Sequence, residues 1–348
     1  MLLKRGVNMK IDISAHILPE KYKTELYKAM GAEFSQAEGT PTITDLESRF
    51  RIMDKYPDLV QLLTVCGPPL DGVVDSKEAI RLSKIANDEL AELILRYPDR
   101  FVGGVATLSI SDMEAALEEL DRAINDLKLR GILIWTPQFT FDPKNKSFPE
   151  KGGPLDSPEL DPLYERMSRY NLPIWIHPAT DALPHYIGEK KGKYYAWQVF
   201  SWPYETTMAM NRLVFGGVLE RFPHLKFITH HCGGMVPYFE RRIKLSHDFA
   251  EMRLNRKHKQ GLRKDPIEYF RMFYNDTAIS GSTPGLMCAY KFFGPEHLLF
   301  GTDMPFDSQI GNVAVRETIR SIEEMEINEL EKKKIFADNA RSLMRLPI

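Results

Sequence analysis

Cysteine is scarce in this chain of 348 residues, which has only Cys66, Cys232 and Cys288. No two of them are close in sequence, so the spacing argues against a disulfide framework and against a zinc site built from cysteines. A long apolar run is also missing, since no stretch approaches the ~20 residues that a membrane-spanning helix needs. Residues 1–8 lack the apolar core of a signal peptide. We therefore expect a cytoplasmic protein without a membrane partner.

The chain also lacks an excess of charge of either sign. Its formal net charge is -2, with 27% charged and 43% hydrophobic residues. No global field would therefore recruit nucleic acid. The basic run Arg253–Lys264 has no interleaved aromatic residues and is typical of a solvated helix face. We expect no nucleic-acid partner.

What the chain does have is one repeated rhythm, a short apolar run followed by an amphipathic segment. Eight such runs are rich in β-branched or aromatic residues and are bounded by Gly, Pro or charge, as strands buried on both faces are. They are Lys10–Ser14, Leu59–Val65, Phe101–Thr107, Gly131–Trp135, Pro173–His177, Phe227–His231, Phe273–Ala278 and Leu298–Thr302. The pattern predicts an α/β protein, a (β/α)8 TIM barrel that forms a single domain over residues 9–348 after a flexible tail, residues 1–8.

Two long stretches interrupt this rhythm. Residues 19–44 include the amphipathic Glu20–Met30 and predict a small cap near the N-terminus. Residues 180–204 follow the fifth strand and carry seven aromatic residues, Tyr186, Tyr194, Tyr195, Trp197, Phe200, Trp202 and Tyr204. Long loops on the active-site face usually shape a substrate pocket. A subunit interface is an equally good explanation for these aromatic residues.

Four of the predicted strands end on residues that can bind a metal. His16, His177, the pair His230-His231 and Asp303 follow strands one, five, six and eight. The C-terminal strand ends of a barrel converge on its active site, so these residues are expected to meet there. Adjacent residues on a strand face opposite ways. We expect His231, which is closer to the open end, to point into the site, and His230 to face a helix or a neighbouring strand.

Two imidazoles and one carboxylate would leave open positions on a divalent ion, as a catalytic metal site requires. Zn²⁺ is the first candidate and Mn²⁺ the second. A bridged pair of metals in such a barrel usually needs a Lys at the end of strand four, and that strand ends at Trp135. We therefore predict a single metal ion at this site.

Several motifs resemble the amidohydrolase superfamily, and within it the branch of 2-amino-3-carboxymuconate-6-semialdehyde decarboxylase and related aromatic-acid decarboxylases. The resemblance runs from Met9 to Leu346. Its motifs lie at 11–19, 176–178, 203–207, 216–223, 231–234, 301–306 and 339–340. The resemblance implies that His16, His177 and Asp303 bind a divalent metal and that His231 is a catalytic acid or base. It also suggests a homodimer.

The first strand departs from the family pattern, which is His-x-His or Glu-x-His. This chain has Ser14-Ala15-His16, and a protonated Ser hydroxyl is a poor metal ligand. Either the metal is held by three protein ligands and water, or the site is lost; the three remaining ligands favour a weakened but retained metal. Arg242 matches a position from which the family supplies an Arg to the neighbouring subunit's substrate, although it would also fit a helix surface. With Ser14 and Trp202, it completes the predicted substrate-binding residues.

The predicted reaction is non-oxidative decarboxylation of a small unsaturated or hydroxylated aromatic carboxylic acid. The metal would bind the carboxylate, and His231 or Asp303 would deliver a proton to the carbon that carries it. Phe34–Thr44 has no Arg to match the other substrate-binding Arg of the carboxymuconate enzyme, so that enzyme's substrate is not expected. The alternatives are a metal-dependent hydrolase or hydratase on the same scaffold and a metal-free binding module.

Overall fold

The computed structural model describes residues 9–33, 35–138, 153–179, 193–256 and 261–348. Its eight strands lie in one parallel sheet in the order β1 to β8. The strands are β1 Lys10–Ile17, β2 Leu59–Val65, β3 Phe101–Thr107, β4 Ile132–Thr136, β5 Pro173–Pro178, β6 Lys226–Thr229, β7 Tyr274–Asp276 and β8 Leu298–Leu299. The Ile13 amide donates to the Phe300 carbonyl at 3.0 Å, which links β1 to the end of β8 and closes the barrel. The predicted (β/α)8 fold is confirmed.

Helices connect and cover the strands. They are α1 Glu20–Met30, α2 Ser35–Glu38, α3 Leu46–Met53, α4 Leu70–Val73, α5 Ser76–Arg96, α6 Met113–Asn125, α7 Asp161–Tyr170, α8 Trp202–Phe215, α9 Val218–Arg221, α10 Glu240–Leu254, α11 Pro266–Phe270, α12 Thr283–Phe293, α13 Asn312–Glu323, α14 Glu329–Lys333 and α15 Asn339–Met344. Single turns of 3-10 or π-helix lie at Pro41–Ile43, Pro158–Leu160, Trp197–Ser201, His231–Gly233, Pro295–His297 and Lys334–Asp338. Within the described ranges, no helix combines the length and apolarity needed to cross a membrane.

Residues of each strand alternate between two apolar clusters. On β5, Ile174 and Ile176 pack outward against the helices, whereas Trp175 belongs to the cluster inside the barrel. On β6, Phe227 packs outward and Ile228 inward. Residues of α15, such as Leu343, join the inner cluster. This alternation with a period of two sets which residues at the strand ends point into the barrel mouth.

Three strands end earlier than the sequence predicts. β6 ends at Thr229, β7 at Asp276 and β8 at Leu299. Past β6, the backbone of His231 and Cys232 is left-handed, with φ angles of 57° and 54°. Gly233 continues this turn at φ 76°, and a Cβ there would lie 2.7 Å from the ring of Phe293. The chain therefore turns back over the barrel mouth where the sequence predicts continuing strand.

Candidate metal and active site

Three histidines and one aspartate meet at the C-terminal end of the barrel. One nitrogen each from His16, His177 and His230 and one carboxylate oxygen of Asp303 all lie within 4.8 Å of one another. Ligands about 2.1 Å from one ion lie about 3 to 4 Å apart, so this set is close to the spacing that a divalent metal imposes. The three histidines are buried, and the side chain of Asp303 is 21% exposed.

Alternation along the strands explains why these histidines converge. His177 is two residues beyond Trp175, and His230 is two residues beyond Ile228, so both continue the inward face of their strands. The pairing of β1 with β2 shifts register between Asp12 and Ala15. Past that irregularity, His16 lies against the ring of His177, with ring centroids 5.2 Å apart.

The expected orientation of His230 is wrong. Its ring lies 4.4 Å from that of His177 and stacks on His16 at 5.8 Å, so it points into the site and not toward a helix. His231 also reaches the site, because its left-handed backbone turns the chain over the mouth. Its Nε2 lies 3.8 Å from Asp303 Oδ2. The alternation visible in Phe227-Ile228 could have identified His230, whereas the left-handed turn at His231 has no equally direct sequence signal.

The charge states around the cluster differ from residue to residue. Burial, reinforced by the neighbouring His230 and His16, lowers the pKa of His177 well below its ordinary value. Burial also lowers the pKa of His230, although the nearby Asp276 opposes it. Neutral imidazoles are the form that binds a metal.

His231 and Asp303 have pKa shifts of the opposite kind. Burial alone would lower the pKa of His231, but its contact with the Asp303 carboxylate outweighs burial and raises it. Burial alone would raise the pKa of Asp303, but contacts with His16 and His231 hold it well below its ordinary range. The pair therefore favours a protonated imidazole beside an ionised carboxylate.

A pocket of about 640 Å³, its mouth included, opens above the cluster. Its lining is largely apolar and consists of His16, Cys66, Gly67, Pro68, Pro69, Trp135, His177, Pro178, Ala179, Trp197, Trp202, Asp303 and Phe306. Among the described residues that line it, none is Lys or Arg. The walls suit a flat aromatic ring, and the cluster at the floor supplies the polar groups.

The predicted substrate-binding residues fall in three different places. Trp202 lines the pocket, with its ring stacked on His231. Ser14 is fully buried, and its hydroxyl donates to Asp276 Oδ2 at 3.1 Å. Arg242 lies on the exposed surface of α10 and does not line the pocket. A role for Arg242 in substrate binding would therefore require a second subunit.

The aromatic residues of the predicted second insertion divide between the pocket and the exposed surface. Trp197 and Trp202 line the pocket, whereas Tyr194, Tyr195 and Phe200 are exposed. Tyr186 and the rest of residues 180–192 lie outside the described residues, as do residues 1–8 and 257–260. The first insertion forms α1 and α2, and none of its described residues lines the pocket.

Asp276, at the end of β7, was missed as a site residue in the sequence. Its Oδ1 accepts hydrogen bonds from the amides of Cys232 and Ala278, both at 3.1 Å. Its Oδ2 accepts from Ser14 and lies 3.2 Å from His230 Nδ1. A carboxylate within a predicted buried strand was the available signal.

Comparisons with known proteins agree with this geometry. The model of the amidohydrolase family matches residues 11–346. Gamma-resorcylate decarboxylase of Polaromonas sp. (strain JS666 / ATCC BAA-500) is 29% identical over 306 residues, which are 86% of this chain and 87% of that protein. 2-Amino-3-carboxymuconate-6-semialdehyde decarboxylase of Dictyostelium discoideum is 26% identical over 366 residues, 97% of this chain and 92% of that one.

Solved structures extend the similarity to the whole barrel. A crystal structure of 2,6-dihydroxybenzoate decarboxylase with 2,6-dihydroxybenzoate is 25% identical, with a TM-score of 0.78, covering 98% of this chain and 100% of that one. A dihydroxybenzoic acid decarboxylase from Polaromonas sp. JS666, with bound manganese and the inhibitor 2-nitroresorcinol, is 26% identical, with a TM-score of 0.77 and 97% of each chain covered. The family predicted from the sequence motifs is confirmed: the chain belongs to the amidohydrolase family.

Proposed function

We propose that the protein is a metal-dependent non-oxidative decarboxylase, a carbon-carbon lyase that acts on a small hydroxylated aromatic or unsaturated carboxylic acid. One observation carries the proposal: a cluster of His16, His177 and Asp303 lies at the floor of a pocket walled by aromatic side chains. The relatives named above, which are aromatic-acid decarboxylases, support the same reaction class.

The donor set fits a single divalent ion held by His16, His177 and Asp303. When bound there, such an ion would supply positive charge that fixes the substrate carboxylate and an adjacent oxygen. The manganese in the Polaromonas structure makes Mn²⁺ the first ion to test. Zn²⁺ is the second, because imidazole and carboxylate ligands also suit zinc.

The side chains around the cluster divide the remaining work. Trp135, Trp202 and Phe306 hold the substrate ring and keep water away from it. His231 gives its proton to the ring carbon that bears the carboxylate, so that this carbon becomes tetrahedral. The bond to the carboxylate then breaks, its electron pair returns to the ring, and CO₂ leaves. His231, now neutral, regains a proton from solvent, and Asp303 stabilises its charged form.

A homodimer in the cytoplasm completes the proposal. On α10, Arg242, Leu245, Phe249 and Met252 share one face by their helical spacing, and this face is exposed. A second copy of the chain covering this apolar face would bring Arg242 to a neighbouring molecule. The unpaired state of Cys66, Cys232 and Cys288 supports a reducing compartment.

The test measures metal and reaction together. Protein purified without chelator should contain about one equivalent of a divalent metal, determined by elemental analysis. The metal-loaded protein is then incubated with hydroxylated benzoic acids, 2,6-dihydroxybenzoate first, and released CO₂ is measured beside the decarboxylated product. Turnover that chelator abolishes and added Mn²⁺ or Zn²⁺ restores would support the proposal. Hydrolysis of lactones or amides without CO₂ release would overturn it in favour of a hydrolase.

A further inference from the structure

Three histidines of the site share one arrangement of their ring nitrogens. His16 Nδ1 lies 3.1 Å from Thr64 Oγ1, and His177 Nδ1 lies 2.6 Å from the carbonyl oxygen of Pro178. His230 Nδ1 lies 3.2 Å from Asp276 Oδ2. Metal-binding histidines typically use one ring nitrogen in this way, which fixes the tautomer and turns the other nitrogen toward the ion. Neither buried ring nitrogen of His230 makes a hydrogen bond of good geometry among the described residues, although Nδ1 lies beside that carboxylate.

His231 has a different arrangement. Its buried Nδ1 has no hydrogen-bond partner in the described part of the chain, and its Nε2 lies 3.8 Å from Asp303 Oδ2. The carboxylate beside His231 is therefore that of Asp303, one of the proposed metal ligands, and it faces Nε2 and not Nδ1. Its ring instead stacks on Trp202, which lines the pocket. This environment suits a side chain that exchanges a proton with a substrate better than one that binds a metal.

The contacts of Ser14 show why the metal needs a further protein ligand and how His230 would be positioned as that ligand. Strand β1 offers the metal only His16, because the hydroxyl of Ser14 donates to Asp276 Oδ2. The same carboxylate oxygen faces His230 Nδ1. Ser14 and the amides of Cys232 and Ala278 together orient Asp276, and Asp276 in turn orients His230.

We propose that His230 is the fourth protein ligand of the metal, with Asp276 and Ser14 as its positioning residues. The proposal rests on the proposed function only in that both concern the same metal ion. The ligand set becomes three imidazoles and one carboxylate, from the ends of β1, β5, β6 and β8. The ligand that Ser14 cannot supply on β1 would thus come from β6.

The experiment compares His230→Phe with His231→Asn in full-length protein. Phe keeps a planar aromatic ring but offers no nitrogen. We expect His230→Phe to weaken binding of Mn²⁺ by about 100-fold or more, in competition with a chelator, and to reduce the imidazole couplings in the electron spin-echo spectrum of bound Mn²⁺ from three to two. His231→Asn should retain the affinity and all three couplings. Asp276→Asn should lower the affinity by about 10-fold or more, because it frees the His230 ring.

Unchanged affinity and three couplings in His230→Phe would overturn the proposal, as would loss of a coupling in His231→Asn. Circular dichroism of metal-free protein checks that each variant is folded. If His230→Phe is unfolded, Asp276→Asn decides the question, since unchanged affinity there would count against the proposal. The two proposals can fail separately. If the protein shows three imidazole couplings, one of which depends on His230, but releases no CO₂ from any acid tested, the proposed ligand set stands and the proposed decarboxylase activity is wrong.

Discussion

The imidazole of His231 stacks on the indole of Trp202, with ring centroids 5.8 Å apart and planes inclined by 23°. On its other side, His231 Nε2 faces Asp303 Oδ2. The ring is therefore held between an aromatic wall of the pocket and a carboxylate of the metal cluster. A proton on His231 is stabilised by Asp303 and lies next to two residues that line the pocket, Trp202 and Asp303.

This arrangement predicts that His231→Asn abolishes turnover but leaves the metal bound. Removing the proton donor should lower kcat by about 10²-fold to 10⁴-fold, the range typical of general acid catalysis. Metal content, measured by elemental analysis on the same preparation, should stay near that of the unchanged protein. Near-full activity of His231→Asn would show that the proton comes from another group.

Trp202→Phe is the matched control. Phe keeps an aromatic ring beside His231, but this ring is smaller than an indole. We therefore expect a higher KM with a much smaller change in kcat. If His231→Asn and Trp202→Phe lowered kcat equally, His231 would contribute shape and not a proton.

A second prediction concerns Arg49, a fully buried residue of α3. Burial lowers its pKa to about 10, which leaves it charged at neutral pH. It donates to the carbonyl of His16, to Gln61 Oε1 at 2.8 Å and to the carbonyl of Thr42 at 3.3 Å. Arg49→Met would leave these acceptors buried without a donor, at a cost of about 2 kcal/mol or more in the free energy of unfolding.

Urea denaturation measures this cost, and Arg51→Ala is the control on the same helix. Arg51 is exposed and pairs with Glu47. Its loss should change the free energy of unfolding by less than about 1 kcal/mol, as for other surface ion pairs. Equal effects of the two substitutions would mean that Arg49 does not anchor the backbone of His16.

The strand positions and site residues that the sequence predicted correctly follow from strand periodicity. Those that it missed depend on the residue at which a strand ends. β2 and β3 have the predicted bounds, because their apolar runs are long and bounded by charged or polar residues. His16, His177 and Asp303 converge as expected, because parallel strand ends meet at one edge of the barrel. His230 was misplaced because the inward face of Ile228 continues to His230 past the end of β6 at Thr229, and a left-handed turn then brings His231 to the mouth as well.

Contacts between segments that are distant in sequence could not be predicted from any local sequence pattern. Ser14 and Asp276 are 262 positions apart, and only closure of the barrel brings the hydroxyl to the carboxylate. That Ser14 is a poor ligand was predicted from its chemistry, whereas its contact with Asp276 requires knowledge of how β1 and β7 pack. A carboxylate at the end of a strand indicates a site, but its partners come from the tertiary structure.

A third prediction concerns stability and pH at Asp12, a fully buried residue of β1. Its carboxylate accepts hydrogen bonds from the Thr302 hydroxyl at 2.7 Å and the Thr302 amide at 3.0 Å. Burial nevertheless raises its pKa to about 6. The folded protein therefore binds this proton more tightly than the unfolded chain, so the stability from this group is present at low pH and is lost as pH rises toward and past 6.

Asp12→Asn cannot ionise and should remove this pH dependence. We expect the free energy of unfolding of the unchanged protein, relative to that of Asp12→Asn, to fall by about 1 kcal/mol between pH 5 and pH 7.5. Urea denaturation of both proteins in chelator measures the difference without a contribution from metal binding. A difference that stays constant or grows with pH would contradict the raised pKa.

A fourth prediction concerns the exposed face of α10. Phe249 and Met252 are 57% and 82% exposed on this helix, and such apolar side chains on one face indicate a contact surface. Phe249→Asp should convert a dimer into a monomer, measured by light scattering after size-exclusion chromatography. Leu95→Asp on α5 is the matched control, because Leu95 is 81% exposed but belongs to another helix. Dissociation by Leu95→Asp alone would place the interface elsewhere.

The last prediction tests whether Arg242 acts in the partner's site. Arg242→Ala alone should lose activity, because each substrate would lack its guanidinium, and His231→Asn alone should lose activity for want of a proton donor. In a mixed dimer, the subunit with Arg242→Ala keeps His231 and receives Arg242 from its His231→Asn partner, so one site is complete. After the two inactive proteins are unfolded and refolded together, half of the dimers are mixed, and about a quarter of the original activity should return. No recovery on mixing, or full activity of Arg242→Ala alone, would assign Arg242 to the helix surface, since only a residue shared across the interface can be complemented in this way.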